Sequence, residues 1–190
     1  MPMPVIPIPF PVDVAHWTPT YGPKYLDCFV YYKRRDPTLV NHVCAFLTKL
    51  GLSFKILVYG QYTEETYRDV LTRARFGVWI GCHESQGFAV QEALAMDVPL
   101  VVWNVTSMHD EYSSGKYEYV HLKERYRLEA TTTTYWDATC GLLGTIQDEV
   151  ERHIVHMASH ASSYHPRAFV EATLSPKACW ERLQLKYTYA

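Results

Sequence analysis

The chain contains no C-x-x-C pair; its five cysteines, Cys28, Cys44, Cys82, Cys140 and Cys179, are scattered. An odd, dispersed set speaks against a disulfide framework and fits reduced thiols, so a cytoplasmic location is expected. No apolar run reaches the ~18 residues that a transmembrane helix needs. The amino terminus has neither the basic nor the apolar region of a signal peptide. An excess of one charge is also missing: 18 Lys and Arg stand against 20 Asp and Glu, a net charge of -2. That balance argues against nucleic acid or an acidic membrane surface as the main partner. No G-x-G-x-x-G follows the first strand candidate, which argues against a dinucleotide-dependent oxidoreductase. What is present is ordinary for a globular chain: 190 residues, 48% hydrophobic and 20% charged. This suffices for one domain with a sizeable core and is too short for two full α/β domains. The 15 tyrosines fit amphipathic packing at core edges.

The stretch from Phe76 to Asn104 organises the rest. Phe76 to Ile80 is a short apolar run closed by Gly81, as a strand covered on both faces requires. Cys82-His83-Glu84-Ser85-Gln86-Gly87 follows as a polar turn. Phe88 to Met96 holds good helix formers with no Gly or Pro. Asp97-Val98-Pro99 stops the helix, because the residue before a proline is driven out of the α region. Leu100 to Trp103 is the next strand. A polar turn at the carboxyl end of a parallel strand, leading into a helix, is where open α/β sheets bind ligands. The first helical amides, near Gly87, Phe88 and Ala89, lack intrahelical partners and with the helix dipole suit a phosphate. Gly87 lets the backbone approach closely. Glu84 and Glu92 bracket this position and can accept hydrogen bonds from sugar or ribose hydroxyls. The same residues also fit a plain βαβ crossover with two solvated glutamates.

Before this stretch, Tyr25 to Tyr32 is the first strand candidate, followed by Lys33-Arg34-Arg35. Asp36 as N-cap and Pro37 at the first helical position start a helix that Gly51 ends. Val40, Val43, Cys44, Leu47 and Leu50 supply its apolar face. Phe54 to Val58 is a second strand, closed by Tyr59-Gly60-Gln61-Tyr62. Thr63 caps the next helix, with Tyr67, Val70, Leu71 and Ala74 as its core stripe. Beyond Asn104, Tyr117 to Leu122 and the threonine-rich Ala130 to Thr134 are strand candidates, and Tyr135 to Gly141 reads as a turn. Thr145 to Ser159 is a helix whose flank carries Glu149, His153, His156 and His160. Without a cysteine or H-E-x-x-H pattern that flank reads as partly exposed surface, and no metal is expected. Ser175 and Pro176 open the last helix.

Glu84-Ser85-Gln86-Gly87-Phe88-Ala89-Val90-Gln91-Glu92, continued by Ala93-Leu94-Ala95-Met96-Asp97-Val98-Pro99-Leu100-Val101-Val102, resembles the E-x7-E motif of retaining glycosyltransferases of family four. Asp97 and Ala89 stand where that family usually or often has Gly. Val5-Ile6-Pro7 and Pro11 to Pro19 resemble the segment through which such enzymes enter their C-terminal domain. The resemblance implies an α/β fold, a Rossmann-like three-layer sandwich with a mostly parallel sheet, equivalent to the C-terminal half of a GT-B glycosyltransferase. Residues 1–23, which hold seven prolines, are then an extended surface leader resembling the interdomain linker, and 24–190 a single donor-binding domain with C-terminal helices. The usual N-terminal acceptor-binding domain is then absent.

The resemblance also assigns roles. Glu84 is the catalytic residue that meets the sugar, and Glu92 binds ribose hydroxyls. Lys33 and Arg34, named ahead of Arg35, neutralise the donor diphosphate held by Gly87, Phe88 and Ala89. Gly60 and Gln61 lie beside the base. The implied reaction is hexosyl transfer from a nucleotide-diphosphate sugar with retention, needing no cofactor and no metal. It requires a separate acceptor-binding domain or self-association. The alternative is a non-catalytic nucleotide-sugar-binding or protein-interaction module derived from such an enzyme.

Overall fold

The computed structural model describes residues 8–20, 22–110 and 129–187. Its five strands are β1 (Leu26–Tyr32), β2 (Phe54–Val58), β3 (Ala74–Ile80), β4 (Leu100–Trp103) and β5 (Gly141–Gly144). They form one sheet in the order β2-β1-β3-β4-β5, and every pairing is parallel. The helices are α1 (Pro37–Lys49), α2 (Glu64–Arg73), α3 (Phe88–Ala95), α4 (Gln147–His160), α5 (Pro166–Thr173) and α6 (Pro176–Tyr187).

Strand alternation sorts the core into two layers. On one face, Phe29, Tyr31, Trp79, Leu100 and Val102 pack against Tyr67 and Leu71 of α2, Val90 and Leu94 of α3 and Val170 of α5. On the other, Cys28, Val30, Phe76, Val78 and Val101 meet Val43 and Leu47 of α1 and Val150, Ile154 and Met157 of α4. The result is a three-layer α/β sandwich, as the sequence indicates. The central strands are buried on both sides, which explains why they read as continuous apolar runs.

The helix starts follow local chemistry. The Asp36 carboxylate accepts from the Thr38 amide at 2.9 Å with Pro37 in the first turn, and Thr63 caps α2 through the Thr66 amide at 3.1 Å. α4 begins at Gln147, later than Thr145, because Glu149 folds back to accept from the Thr145 amide at 2.9 Å.

Two expectations are corrected and one element is added. Ala130 to Thr134 is not a strand: Thr131 and Thr132 are tied to the Asn104 side chain, and only Glu129 forms a bridge, with Ser107. Gly141 opens β5 instead of closing a turn, pairing with Leu100. An additional helix, α5, starts at Pro166. The strand expected over Tyr117 to Leu122 lies outside the described residues. The proline-rich leader does more than run over the surface. Val12 and Trp17 are buried in the core, Val12 N donates to the Leu174 carbonyl at 2.8 Å, and Arg167 donates to the carbonyls of Val14, Trp17 and Ala95. No helix among the described residues is long and apolar enough to cross a membrane.

Candidate functional site

The carboxyl ends of β1, β2 and β3 bring several of the candidate residues together. Lys33 follows β1, and its amide donates to the Ile80 carbonyl at 2.9 Å, which fixes the backbone beside the turn after β3. Its ammonium lies 2.6 Å from Glu84 Oε1, with the two side chains only 13% and 15% exposed. The same ammonium stands 4.6 Å from the centre of the Tyr59 ring, a cation–π contact. Burial alone would lower the Lys33 pKa, but the hydrogen bond and negative charge of Glu84 outweigh it and raise the value.

Glu84 belongs to no helix or strand, so its position depends on other contacts. Its amide donates to the Thr131 carbonyl at 3.1 Å, and its own carbonyl accepts from the Thr134 hydroxyl at 2.7 Å. Asn104, just beyond β4, holds that threonine loop: its side-chain oxygen accepts from the Thr131 hydroxyl at 3.0 Å and the Thr132 amide at 2.8 Å. The threonine run therefore holds the glutamate backbone from behind, through the Thr131 carbonyl and the Thr134 hydroxyl, and its side-chain hydrogen bonds compete with strand formation.

Gly87 is the N-cap of α3 with φ 76°, a left-handed conformation that favours glycine, and it has no side chain to cap the helix. A Cβ built on it would stand 3.4 Å from the Cβ of Glu84, so the carboxylate-bearing turn lies directly against the start of α3. The first-turn amides, beginning at Phe88 and Ala89, are the donors that a helix leaves unpaired. The Gln86 side chain also faces this end, accepting from the Phe10 amide at 3.1 Å and donating to the Phe10 carbonyl at 3.0 Å. The Phe10 and Phe88 rings lie 6.4 Å apart, both substantially exposed.

Glu92 lies one turn further along α3, half-buried near Tyr62, Tyr67, Glu64 and His16. Desolvation, followed by repulsion from Glu64 and opposed by His16, lifts its pKa from 4.5 to about 7. A carboxyl so raised beside a sheet's ligand-binding edge is a feature of functional sites. It also has a stability consequence. Glu92 binds its proton more tightly in the folded protein than in the unfolded chain, so its contribution is fully present below pH 4.5 and is lost as pH rises towards about 7. Glu92→Gln is expected to match wild type in thermal melts at about pH 4.5 and to exceed it at about pH 8. A stability difference that stays constant across that range would contradict this environment for Glu92.

The basic triplet is divided. Arg34 is exposed, with φ 50°. Arg35 is 5% exposed and donates to the carbonyls of Gly81 at 3.0 Å and Trp103 at 2.9 Å, stapling the ends of β3 and β4. Gly60 and Gln61 form an exposed turn after β2, where Gly60 has φ 77° and the Gln61 amide donates to the Val58 carbonyl at 3.0 Å. Tyr59 connects this turn to Lys33. Sequence reasoning missed Tyr59, Asn104 and Thr134. The signal for Tyr59 was an aromatic residue at a strand's carboxyl end; Asn104 and Thr134 carried none.

Two cavities lie elsewhere. One of about 410 Å³ lies between α1 and α4, lined by Phe46, Glu151 and Val155. Another of about 510 Å³ lies at the amino ends of β1, β3 and β4, lined by Lys24, Arg75, Asp97 and Tyr164. Neither includes a candidate residue; Lys33 and Glu84 lie at the opposite, carboxyl edge of the sheet. On α4, His156 and His160 stack at 4.4 Å, and no group of three or more His, Cys, Asp or Glu among the described residues is arranged to hold a metal.

No protein-family model matches the sequence, and no curated protein matches it. Solved structures do. AviGT4, a glycosyltransferase involved in avilamycin A biosynthesis, superposes with a TM-score of 0.52 at 15% identity, covering 95% of this chain and 56% of that one. Sucrose-phosphate synthase from Thermosynechococcus elongatus superposes with a TM-score of 0.53 at 14% identity, covering 96% of this chain and 51% of that one. The chain thus spans about half the length of each. Its α/β architecture is that of one half of a GT-B glycosyltransferase.

Proposed function

We propose that the chain is a glycosyltransferase donor domain of the retaining family-four type, binding a nucleotide-diphosphate sugar at the carboxyl edge of its sheet. The observation that carries this reading is the convergence of Lys33, Glu84 and the start of α3 in one corner, with Glu92 eight residues beyond Glu84. The α3 amides and Lys33 take the diphosphate, and exposed Arg34 is near enough in sequence to assist. Glu92 receives ribose hydroxyls, Glu84 the sugar, and the Gly60–Gln61 turn borders the base. Transfer with retention proceeds through an oxocarbenium-like transition state, and the main contribution of the protein is to stabilise charge on the departing diphosphate. The acceptor is held by a separate domain or a second copy, and no metal or cofactor takes part.

Isothermal titration against ADP-, GDP- and UDP-sugars tests the reading. Binding of at least one is expected, and Glu92→Ala should weaken it by about tenfold, the loss of one or two hydrogen bonds to ribose. Absence of binding to all of them overturns the proposal, and unchanged affinity in Glu92→Ala removes the ribose role. A second reading, a non-catalytic nucleotide-sugar-binding or protein-interaction module, is favoured by the exposed Phe10 and Phe88 pair beside the corner. Binding of a sugar nucleotide with neither hydrolysis nor transfer identifies it.

A further inference from the structure

The cavity of about 510 Å³ at the amino ends of β1, β3 and β4 is lined by groups from four separate segments. Lys24 precedes β1, Arg75 is the second residue of β3, and Asp97 lies in the turn between α3 and β4. Ser162, Tyr164 and His165 come from the segment between α4 and α5. Five of these six side chains carry hydrogen-bond donors: an ammonium, a guanidinium, two hydroxyls and an imidazole. Asp97 alone is purely an acceptor, and one of its oxygens already accepts from the Arg167 amide at 3.1 Å.

The two cations are held differently. Arg75 donates to Asp27 at 3.1 Å and to the Ala158 carbonyl at 2.6 Å, which gives it a counter-charge and leaves donors to spare. Lys24 donates to the Leu71 carbonyl at 3.2 Å, and among the described residues no carboxylate stands within ion-pair distance of it. Asp97 acts on its ammonium only through space, and burial outweighs that attraction, so the Lys24 pKa is lowered. A half-buried ammonium with no contacting anion is costly to the fold, and this one lines a cavity that has room for an anion. The Tyr164 ring is set edge-on against His156 at 6.3 Å, and its hydroxyl has no partner among the described residues. A carboxylate presents two acceptor oxygens and a phosphate at least three, so a wall this rich in donors suits phosphate better. The volume lies within the ~300–1,000 Å³ of small-molecule sites, which leaves space for a small polar body whose hydroxyls Asp97 can accept from.

We infer that this cavity is a second ligand site, taking the phosphate group of a small molecule, as the free ion or a monoester, on Lys24 and Arg75 with the Tyr164 hydroxyl as a further donor. The inference is independent of the donor site, which lies at the opposite edge of the sheet and shares no residue with it.

The test follows amide shifts of the ¹⁵N-labelled full chain while inorganic phosphate or glycerol 3-phosphate is added, with sodium chloride and sodium acetate as controls at matched ionic strength. At least one phosphate compound should give saturable shifts on Lys24, Arg75, Tyr164 and His165. Inorganic phosphate binding as tightly as the ester, or more tightly, identifies the free ion as the ligand; tighter binding of glycerol 3-phosphate identifies a monoester. Lys24→Met keeps the aliphatic stem while removing the charge, and should weaken binding by about tenfold, the loss of a charged hydrogen bond. Tyr164→Phe leaves the ring in place and should weaken it by about fivefold. Shifts around the cavity no larger than those from chloride or acetate overturn the inference. So does unchanged phosphate affinity in Lys24→Met, or in Tyr164→Phe should the lysine variant not fold. Failure here leaves the donor site standing, and a chain that binds no sugar nucleotide leaves this inference standing.

Discussion

Gly141→Ala is expected to abolish cooperative folding. Gly141 opens β5 with φ 134°, and a Cβ there would stand 2.0 Å from the carbonyl oxygen of Leu100 and 2.8 Å from its nitrogen. Those atoms are backbone of the neighbouring strand, so no side-chain rotation relieves the overlap. The same pairing holds Leu100 to the sheet, since its amide donates to the Cys140 carbonyl at 3.0 Å. Backbone strain of about 1–3 kcal/mol for an alanine at that φ adds to the separation of two paired strands. Together these exceed about 5 kcal/mol, which is the whole stability of many domains. Circular dichroism melts measure it: a variant that melts cooperatively within a few degrees of wild type would mean that β5 does not pair with β4 in this register.

Lys33→Ala should have the largest effect on binding. Removing the ammonium leaves Glu84 in place without its counter-charge, in the corner proposed to receive the diphosphate. The lost contact is a hydrogen bond between the ammonium and the diphosphate, about 1.5–3 kcal/mol, so the Kd for the sugar nucleotide identified by titration should rise by about tenfold or more. Arg34→Ala removes an exposed cation that water screens, and should change the Kd by no more than about fivefold. A loss for Arg34→Ala equal to or greater than that for Lys33→Ala would transfer the phosphate role to Arg34.

The sequence showed the elements whose causes are local. Asp36-Pro37, Thr63 and the Asp97-Val98-Pro99 stop announce helix ends through capping and proline sterics, and β2 and β4 occupy the expected residues. The glutamate spacing across the turn into α3 was legible for the same reason. What stayed hidden depends on distant partners. β5 is only Gly141 to Gly144, and its strand character comes from β4 beside it. Thr131 to Thr134 has the β-branched composition of a strand, yet the Asn104 side chain and the Glu84 backbone capture it. In Lys33-Arg34-Arg35 composition cannot tell which cation is buried. The positive φ at Arg34 accompanies Arg35 turning inward to β3 and β4 while Lys33 turns to Glu84. The raised pKa of Glu92 likewise arises from burial, and then from the charge of Glu64 on another element.

The central claim places the diphosphate of a sugar nucleotide on the start of α3, between Lys33 and Glu92. Backbone amide shifts, followed by NMR while the nucleotide sugar chosen by titration is added to ¹⁵N-labelled protein, test that location most directly. The account predicts that the largest saturable shifts fall on Gly87, Phe88 and Ala89, with Lys33 and Glu84 next. Shifts centred instead on Lys24, Arg75 and Tyr164, around the cavity at the opposite end of the sheet, would contradict it.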